Sequence, residues 1–433
     1  MLTLRRYTHI RLEDFKVRIF PYILIVFAVV VDSINGFMQD ILHISTPIGQ
    51  IFRFSVILYT AGFILKLTGN FKKLISATVF VYSLGLPIWL MNEPNFSMGT
   101  EISYFLKIFL YYCIASYFYV NKYNFDNKYL AHLINTASVV SALLIIFCGV
   151  TGLGKSTYTV GDLQIGSKGF FIAGNDVGLY MNICLIGTIV NLIFFNRFRQ
   201  ILIILFVYIG NLATTSRVGM IGSTLTVIVF FCFLVLKKTP PLKVKKLYLS
   251  ITKVMFFLCI SGIIIGGVTF ISQNDYLIDK FSTDSSFNPR QLLLNAANES
   301  IDNMTGIQLL VGRSFPGSMI TVGKAYNLSI YEEHAKSVEA EYHETISAYG
   351  YLLGGLIMLT FVYPVAASIW MWIKRRSFPR FWNMVSCVLF LGVGIISGHA
   401  FSNSMVFPVL SIIFITALNY DKSQNRRGVD NRP

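Results

Sequence analysis

Along the 433 residues, apolar stretches of about 17 to 25 residues follow one another with short polar breaks, the length at which a helix crosses the hydrocarbon core of a bilayer. They fall near 19–38, 48–66, 74–91, 102–120, 130–150, 171–195, 200–216, 218–236, 251–271, 346–372, 382–399 and 402–419. The pattern predicts an all-α polytopic integral membrane protein of about 12 transmembrane helices. One long polar segment, 272–345, interrupts the series and predicts a large, partly helical outer loop. The chain then divides into a nine-span membrane bundle at 1–271, the loop at 272–345, a three-span bundle at 346–420 and a tail at 421–433. An even number of spans places both termini on one side of the membrane.

Composition agrees with the pattern, since 54% of the residues are hydrophobic and only 13% are charged. The formal net charge of +15 would suggest nucleic acid if it were spread over a soluble surface. Most of the 36 Lys and Arg instead fall in the N-terminal segment, in alternate short connections and in the tail, while most of the 21 acids lie on the other side. That is the positive-inside asymmetry of a membrane protein, so the charge reports orientation and no nucleic-acid partner follows. Both termini are expected to be cytoplasmic and the loop to face outward. Arg5, Arg6, Arg11, Lys16 and Arg18 precede the first span as in a signal peptide, but Asp32-Ser33-Ile34-Asn35-Gly36 offers no small-residue cleavage site. An uncleaved anchor is expected. All six cysteines fall in predicted spans, so no disulfide framework or cysteine-based zinc site follows.

Gly149-Val150-Thr151-Gly152-Leu153-Gly154-Lys155-Ser156 matches the phosphate-binding loop pattern letter for letter. Such a loop works only between a strand and a helix, whose N-terminus and backbone amides hold the phosphates. Here a span-length apolar run precedes it and a non-helical segment follows, so the match is expected to be accidental.

Charged residues near the outer ends of the spans carry more information. Asp32, Arg53, Lys107, Asp176, Arg217 and His399 share that depth, and each needs a partner or a water-filled cavity. Pairing among them, for instance Asp32 with Arg53, would fix helix packing; a common polar cavity would be functional. Arg217 follows Thr214-Thr215-Ser216 at a tight outer turn, where its guanidinium fork and the neighbouring hydroxyls suit phosphate oxygens. In the loop, Asn288-Pro289-Arg290 has the signature of a helix start, with Arg290 in the first turn beside free backbone amides. Leu293, Ala297 and Ile301 would then share a face resting on the bilayer or the spans below. A second helix is predicted from near Tyr331 through His343 into the tenth span, with Gly350, Gly354 and Gly355 allowing close helix contact. On it Glu339 stands four residues before His343, so the carboxylate could orient the imidazole of a general base.

In their order and sidedness these segments resemble the bacterial O-antigen polymerase and O-antigen ligase superfamily. The similarity runs from Gly169-Phe170-Phe171-Ile172-Ala173-Gly174-Asn175-Asp176, through Thr215-Ser216-Arg217, the Arg290 helix and Gly312-Arg313, to His343, Gly350 and Gly354-Gly355, ending near Gly398. At Asn175-Asp176 many members carry Asn-Pro-Asn, which leaves the role of Asp176 open. The resemblance implies a metal-independent membrane glycosyltransferase with no cofactor, acting at the outer face of the bacterial inner membrane on an undecaprenyl-pyrophosphate-linked oligosaccharide. It implies that Arg217 and Arg290 hold the departing pyrophosphate and that His343 accepts the proton of the attacking sugar hydroxyl. Glu339, Arg313, Asp176 and Arg53 are the candidate auxiliary residues. Membrane lipid and a chain-length regulator protein are the other expected partners. The expected activity is polymerase; a ligase attaching the glycan to lipid A core and a polysaccharide flippase are the alternatives. A transporter usually shows paired halves and charges near the midplane, and neither is evident in this sequence.

Overall fold

The structure, a computed structural model, describes residues 14–44, 46–160, 163–171, 174–236, 283–327, 337–338, 340–398 and 400–429. Eight of the described helices are long and apolar enough to cross a membrane. They are α1 (Phe15–Gln39), α2 (Ile48–Lys66), α3 (Asn70–Asn92), α4 (Met98–Val120), α5 (Asn127–Thr151), α6 (Gly174–Ile193), α12 (Glu341–Lys374) and α13 (Phe378–Ser397). Three further apolar helices, α7 (Arg197–Ala213), α8 (Arg217–Leu236) and α14 (Val406–Val429), complete the bundle. Each predicted window except the ninth falls on one of these helices; the ninth, at 251–271, lies outside the described residues. The segment 272–345 contributes α9 (Thr283–Asp302), α10 (Gln308–Val311) and α11 (Phe315–Asn327).

The centre of the bundle is α6, which packs against α5, α7, α8, α13 and α14 and is buried on every side from Val177 to Val190. A helix apolar all round suits such a position. Its few polar groups bond to neighbouring helices, as lipid-embedded helices require. Asn182 Nδ2 donates to the Val218 carbonyl at 2.7 Å and Asn211 Nδ2 donates to Asn182 Oδ1 at 2.7 Å. At the other end Asn191 Nδ2 donates to Asn135 Oδ1 at 2.8 Å and Gln200 Nε2 to the Thr188 carbonyl at 2.8 Å.

Short polar caps set the starts of α5 and α7: Asp126 accepts from the Lys128 N–H at 2.9 Å and Asn196 from the Phe198 N–H at 3.0 Å. Between α5 and α6 a two-stranded antiparallel hairpin pairs β1 (Ser156–Val160) with β2 (Leu163–Ser167). The phosphate-loop lookalike therefore has a helix before it and a strand after it, the reverse of the order a nucleotide loop needs.

The hairpin, the α7–α8 turn and the loop helices share one face. Thr157 of β1 donates its hydroxyl to the Thr214 carbonyl, Gly36 near the end of α1 lies against the Phe170 carbonyl, and Trp89 at the end of α3 bonds to the α10 segment. At the opposite face Tyr117 and Tyr129 donate their hydroxyls to the carbonyls of Lys16 and Arg18, at the basic start of α1.

Three boundaries differ from the sequence reading. The α9 helix starts at Thr283, so Pro289 lies inside it and Arg290 stands seven residues past its start, not in the first turn. Proline removes only one backbone bond there, and the Thr283-Asp284-Ser285-Ser286 run supplies the polar residues that favour a helix start. The α12 helix starts at Glu341, after Ala340 in an extended conformation (φ −154°, ψ 113°). Finally, α14 continues to Val429, past the expected limit at 420.

Candidate functional site

The loop helices form a small body of their own over the bundle. Ala296 and Ala297 of α9 pack with Val322 and Tyr326 of α11 and with Val338 and Ala340, while Ile301 packs with Met304 and Ile346 of α12. The predicted face of Leu293, Ala297 and Ile301 thus rests on protein. Hydroxyls join the layers: Ser347 of α12 lies 3.2 Å from the Ser300 hydroxyl and 2.6 Å from that of Ser318.

The base of this body is clasped by the outer ends of α3 and α4. Trp89 Nε1 lies 3.1 Å from the carbonyl oxygens of both Val311 and Gly312 and donates to them. Glu101, fully buried, accepts the N–H of Phe315, the first residue of α11, at 2.6 Å. Tyr104 stacks on the Phe315 ring at 3.5 Å between centroids and 11° between planes. Arg313 donates to the Asn303 carbonyl at 2.9 Å and lies close enough to Glu93 to act on its charge. Burial pushes Glu93 above the usual carboxylate range; the Arg313 guanidinium and a backbone amide of Asn95 oppose that shift. Arg313, an expected auxiliary, is therefore engaged in anchoring the loop.

Beneath the clasp, charged groups from five helices converge. Arg53 Nη2 donates to Asp32 Oδ1 at 3.1 Å, one of the pairings open from the sequence. Lys107 stands nine residues past the start of α4, about 13 Å along the helix. It lies over the Tyr104 ring at 6.0 Å, with Arg53, Asp176 and Glu344 all near enough to act on its charge. The first turn of α12 brings two carboxylates to the same place. Glu344 accepts from the Ser337 hydroxyl at 2.6 Å and from Tyr104 at 3.4 Å, and Glu341 accepts the Phe401 N–H at 2.8 Å. Acids in a first turn are favoured by the helix dipole. Asp176, in the first turn of α6, lies within electrostatic reach of Glu341, and its carbonyl accepts from Asn403 Nδ2 at 2.8 Å.

Arg217 begins α8 and is half-buried. Its turn is pressed onto α6 two residues beyond Asp176: a Cβ on Gly178 would stand 2.4 Å from Ser216 Oγ. Two of the three hydroxyls beside Arg217 serve their own helix ends. Thr214 donates to the Asn211 carbonyl at 2.7 Å, and Ser216 Oγ accepts the Gly219 N–H at 3.0 Å, capping α8. Helix ends leave amides that must be satisfied inside lipid, and these side chains satisfy them.

His343 lies in the first turn of α12, edge-on to Tyr342 at 5.2 Å and 90°. Its Nδ1 is shielded and has no hydrogen-bond partner among the described residues. The expected partnership with Glu339 does not arise from helical spacing, because the extended Ala340 ends α12 before residue 339 is reached; Glu339 and His399 lie outside the described residues. The structure thus gathers Arg53, Asp32, Lys107, Asp176, Glu341 and Glu344, sets Arg217 on the adjoining turn and His343 on the same helical turn as the two glutamates, and carries Arg290 on α9 above. Glu341, Glu344 and Glu101 were not singled out by sequence reasoning. Their signal was there: Glu341 and Glu344 are three residues apart on either side of His343, and Glu101 opens an otherwise apolar run. Among the described residues no group of three or more His, Cys, Asp or Glu could hold a metal ion. Compared with protein-family models, with curated proteins and with solved structures, the chain matches none.

Proposed function

We propose that the protein is a membrane glycosyltransferase that polymerises a surface polysaccharide. It transfers a glycan carried on undecaprenyl pyrophosphate to a sugar hydroxyl of a second lipid-linked repeat unit, at the outer face of the bacterial inner membrane. The observation that carries this reading is the charged cluster of Arg53, Asp32, Lys107, Asp176 and Glu344 among apolar helices, with Arg217 at the start of α8 and His343 on the turn that carries Glu344. Cations at that depth are costly in a bilayer unless an anion or water meets them. Asp32, Asp176 and Glu344 balance Arg53 and Lys107, so the cluster is a polar site held in place within the bundle, and a lipid pyrophosphate reaches it with its chain in hydrocarbon and its charge at the interface.

In this reaction the acceptor oxygen bonds to the anomeric carbon as the bond from that carbon to the pyrophosphate oxygen breaks. The leaving group keeps the electron pair, and Arg217 and Arg290 stabilise the charge that develops on it. The imidazole of His343 takes the acceptor proton. Lys107, balanced by Asp176 and Glu344, adds positive charge that is already in place before the donor binds.

The test uses His343→Ala, Arg217→Ala and Arg290→Ala proteins at normal abundance in a strain lacking the wild-type gene. Surface glycans should collapse to single repeats capping the core. Full-length polymer from His343→Ala would eliminate the general base; accumulation of unattached lipid-linked polymer would identify a ligase instead.

A further inference from the structure

At the face opposite the loop, α3, α4, α12 and α14 diverge around an open cavity of about 430 Å³. Its inner wall is Tyr111, Phe118 and Cys387, all buried, and its rim is the α2–α3 connection, Leu67-Thr68-Gly69-Asn70-Phe71, together with Tyr119 of α4. Pro364 lines it where α12 passes, and Phe71 stacks on Tyr363 at 5.4 Å to form one side. Of the helices around it, α3, α4 and α12 are long and apolar enough to cross a membrane, so a bilayer would place lipid outside the cavity.

Four lysines flank the rim in sequence: Lys66, Lys72, Lys73 and Lys122. Two are fixed there by contacts. Lys72 Nζ donates to the Leu65 carbonyl at 2.8 Å, and Lys122 Nζ sits 3.5 Å from the centroid of Tyr119. Arg18 pairs with Asp14 and Arg53 with Asp32, and no described carboxylate pairs with these four lysines. An apolar cavity of this size beside ammonium groups that have no carboxylate partner among the described residues is suited to a molecule with a hydrocarbon tail and an anionic head.

We infer that this cavity binds one anionic glycerophospholipid of the surrounding leaflet. One acyl chain enters between α4 and α12 toward Tyr111 and Cys387, and the phosphate lies at Lys72 and Lys122. A zwitterionic lipid would bring its own cation to a rim that already carries four. A polyprenyl phosphate has a suitable head, but its chain far exceeds the cavity. The site lies away from the charged cluster beneath the loop, so it does not depend on the glycosyltransferase reading.

The test is native mass spectrometry of the delipidated, detergent-solubilised protein titrated with phosphatidylglycerol or phosphatidylcholine of identical acyl chains. Wild type should prefer phosphatidylglycerol by roughly 30-fold, the product expected of two ammonium groups at a lipid head. Lys72→Gln with Lys122→Gln should lower phosphatidylglycerol to the phosphatidylcholine level. Ala115→Trp, which fills the cavity from α4, should remove tight binding of both; Ala367→Trp, from α12, repeats the test if that variant does not fold, and the lysine pair decides the matter if neither does. Equal wild-type affinity for the two lipids would overturn the inference. So would a folded tryptophan variant that binds phosphatidylglycerol as wild type does, or displacement of the bound lipid by undecaprenyl phosphate.

Discussion

Gly312 and Gly350 meet backbone to backbone: a Cβ on Gly350 would stand 2.6 Å from the Gly312 nitrogen, and one on Gly312 would stand 2.2 Å from the Ala348 carbonyl oxygen. Both residues have positive φ with extended ψ (66°, −175° for Gly350 and 73°, −163° for Gly312), a region essentially closed to other residues. The kink this makes in α12 lets α10 enter against the helix and seats the loop on the bundle.

Gly350→Ala should therefore cost about 1–3 kcal/mol of stability from backbone strain, with the clash adding to it. At Gly355 an added methyl would meet nothing within 4 Å, so alanine there should change stability by less than about 0.5 kcal/mol. Thermal unfolding of the two variants in one detergent compares them directly. Equal losses would remove the special role of Gly350.

Glu101 is the acceptor for the first N–H of α11. Glu101→Ala should leave that amide unsatisfied in a buried place, at about 1–3 kcal/mol. Glu101→Gln keeps a carbonyl oxygen for it and should cost less. Protease cleavage within 283–327 measures loop release, which should rise for Ala more than for Gln.

The Arg53–Asp32 contact is part-buried. Removing either partner leaves the other charge in a weakly solvated place, so Arg53→Ala should destabilise by about 1–3 kcal/mol. The double variant Asp32→Ala with Arg53→Ala should recover part of that loss. A double-mutant cycle on detergent-solubilised protein gives the coupling, and strict additivity would mean the pair is not linked.

Glu93 sits above the ordinary carboxylate value of 4.5 because burial penalises its charge. With a folded pKa above the unfolded one, its stabilising contribution is complete below pH 4.5 and is lost as pH rises through the raised value. Wild type should therefore lose stability relative to Glu93→Gln over that rise. Melting temperatures across the interval test it, and a constant difference between the two proteins would mean that Glu93 does not titrate there.

Hydropathy alone located the helices well, for a physical reason local to each segment. A chain in lipid must satisfy its backbone hydrogen bonds within the helix, so length and apolar content suffice to mark α1 through α8 and α12 through α14. The expectation that most Lys and Arg lie on one side rests likewise on composition along the chain. The candidate site was legible in its charges, Asp32, Arg53, Lys107, Asp176 and Arg217, because polar groups inside apolar runs are conspicuous. What those charges meet was decided by the tertiary structure. Arg313 turns to Asn303 and Glu93, the Thr214 and Ser216 hydroxyls go to their own helix ends, and Glu344 comes beside Lys107 and Glu341 beside Asp176. The place of the loop helices over the bundle likewise rests on contacts such as Trp89 with Gly312 and Glu101 with Phe315, between residues more than two hundred positions apart. Local periodicity carries no information about such distant pairs; packing alone sets them.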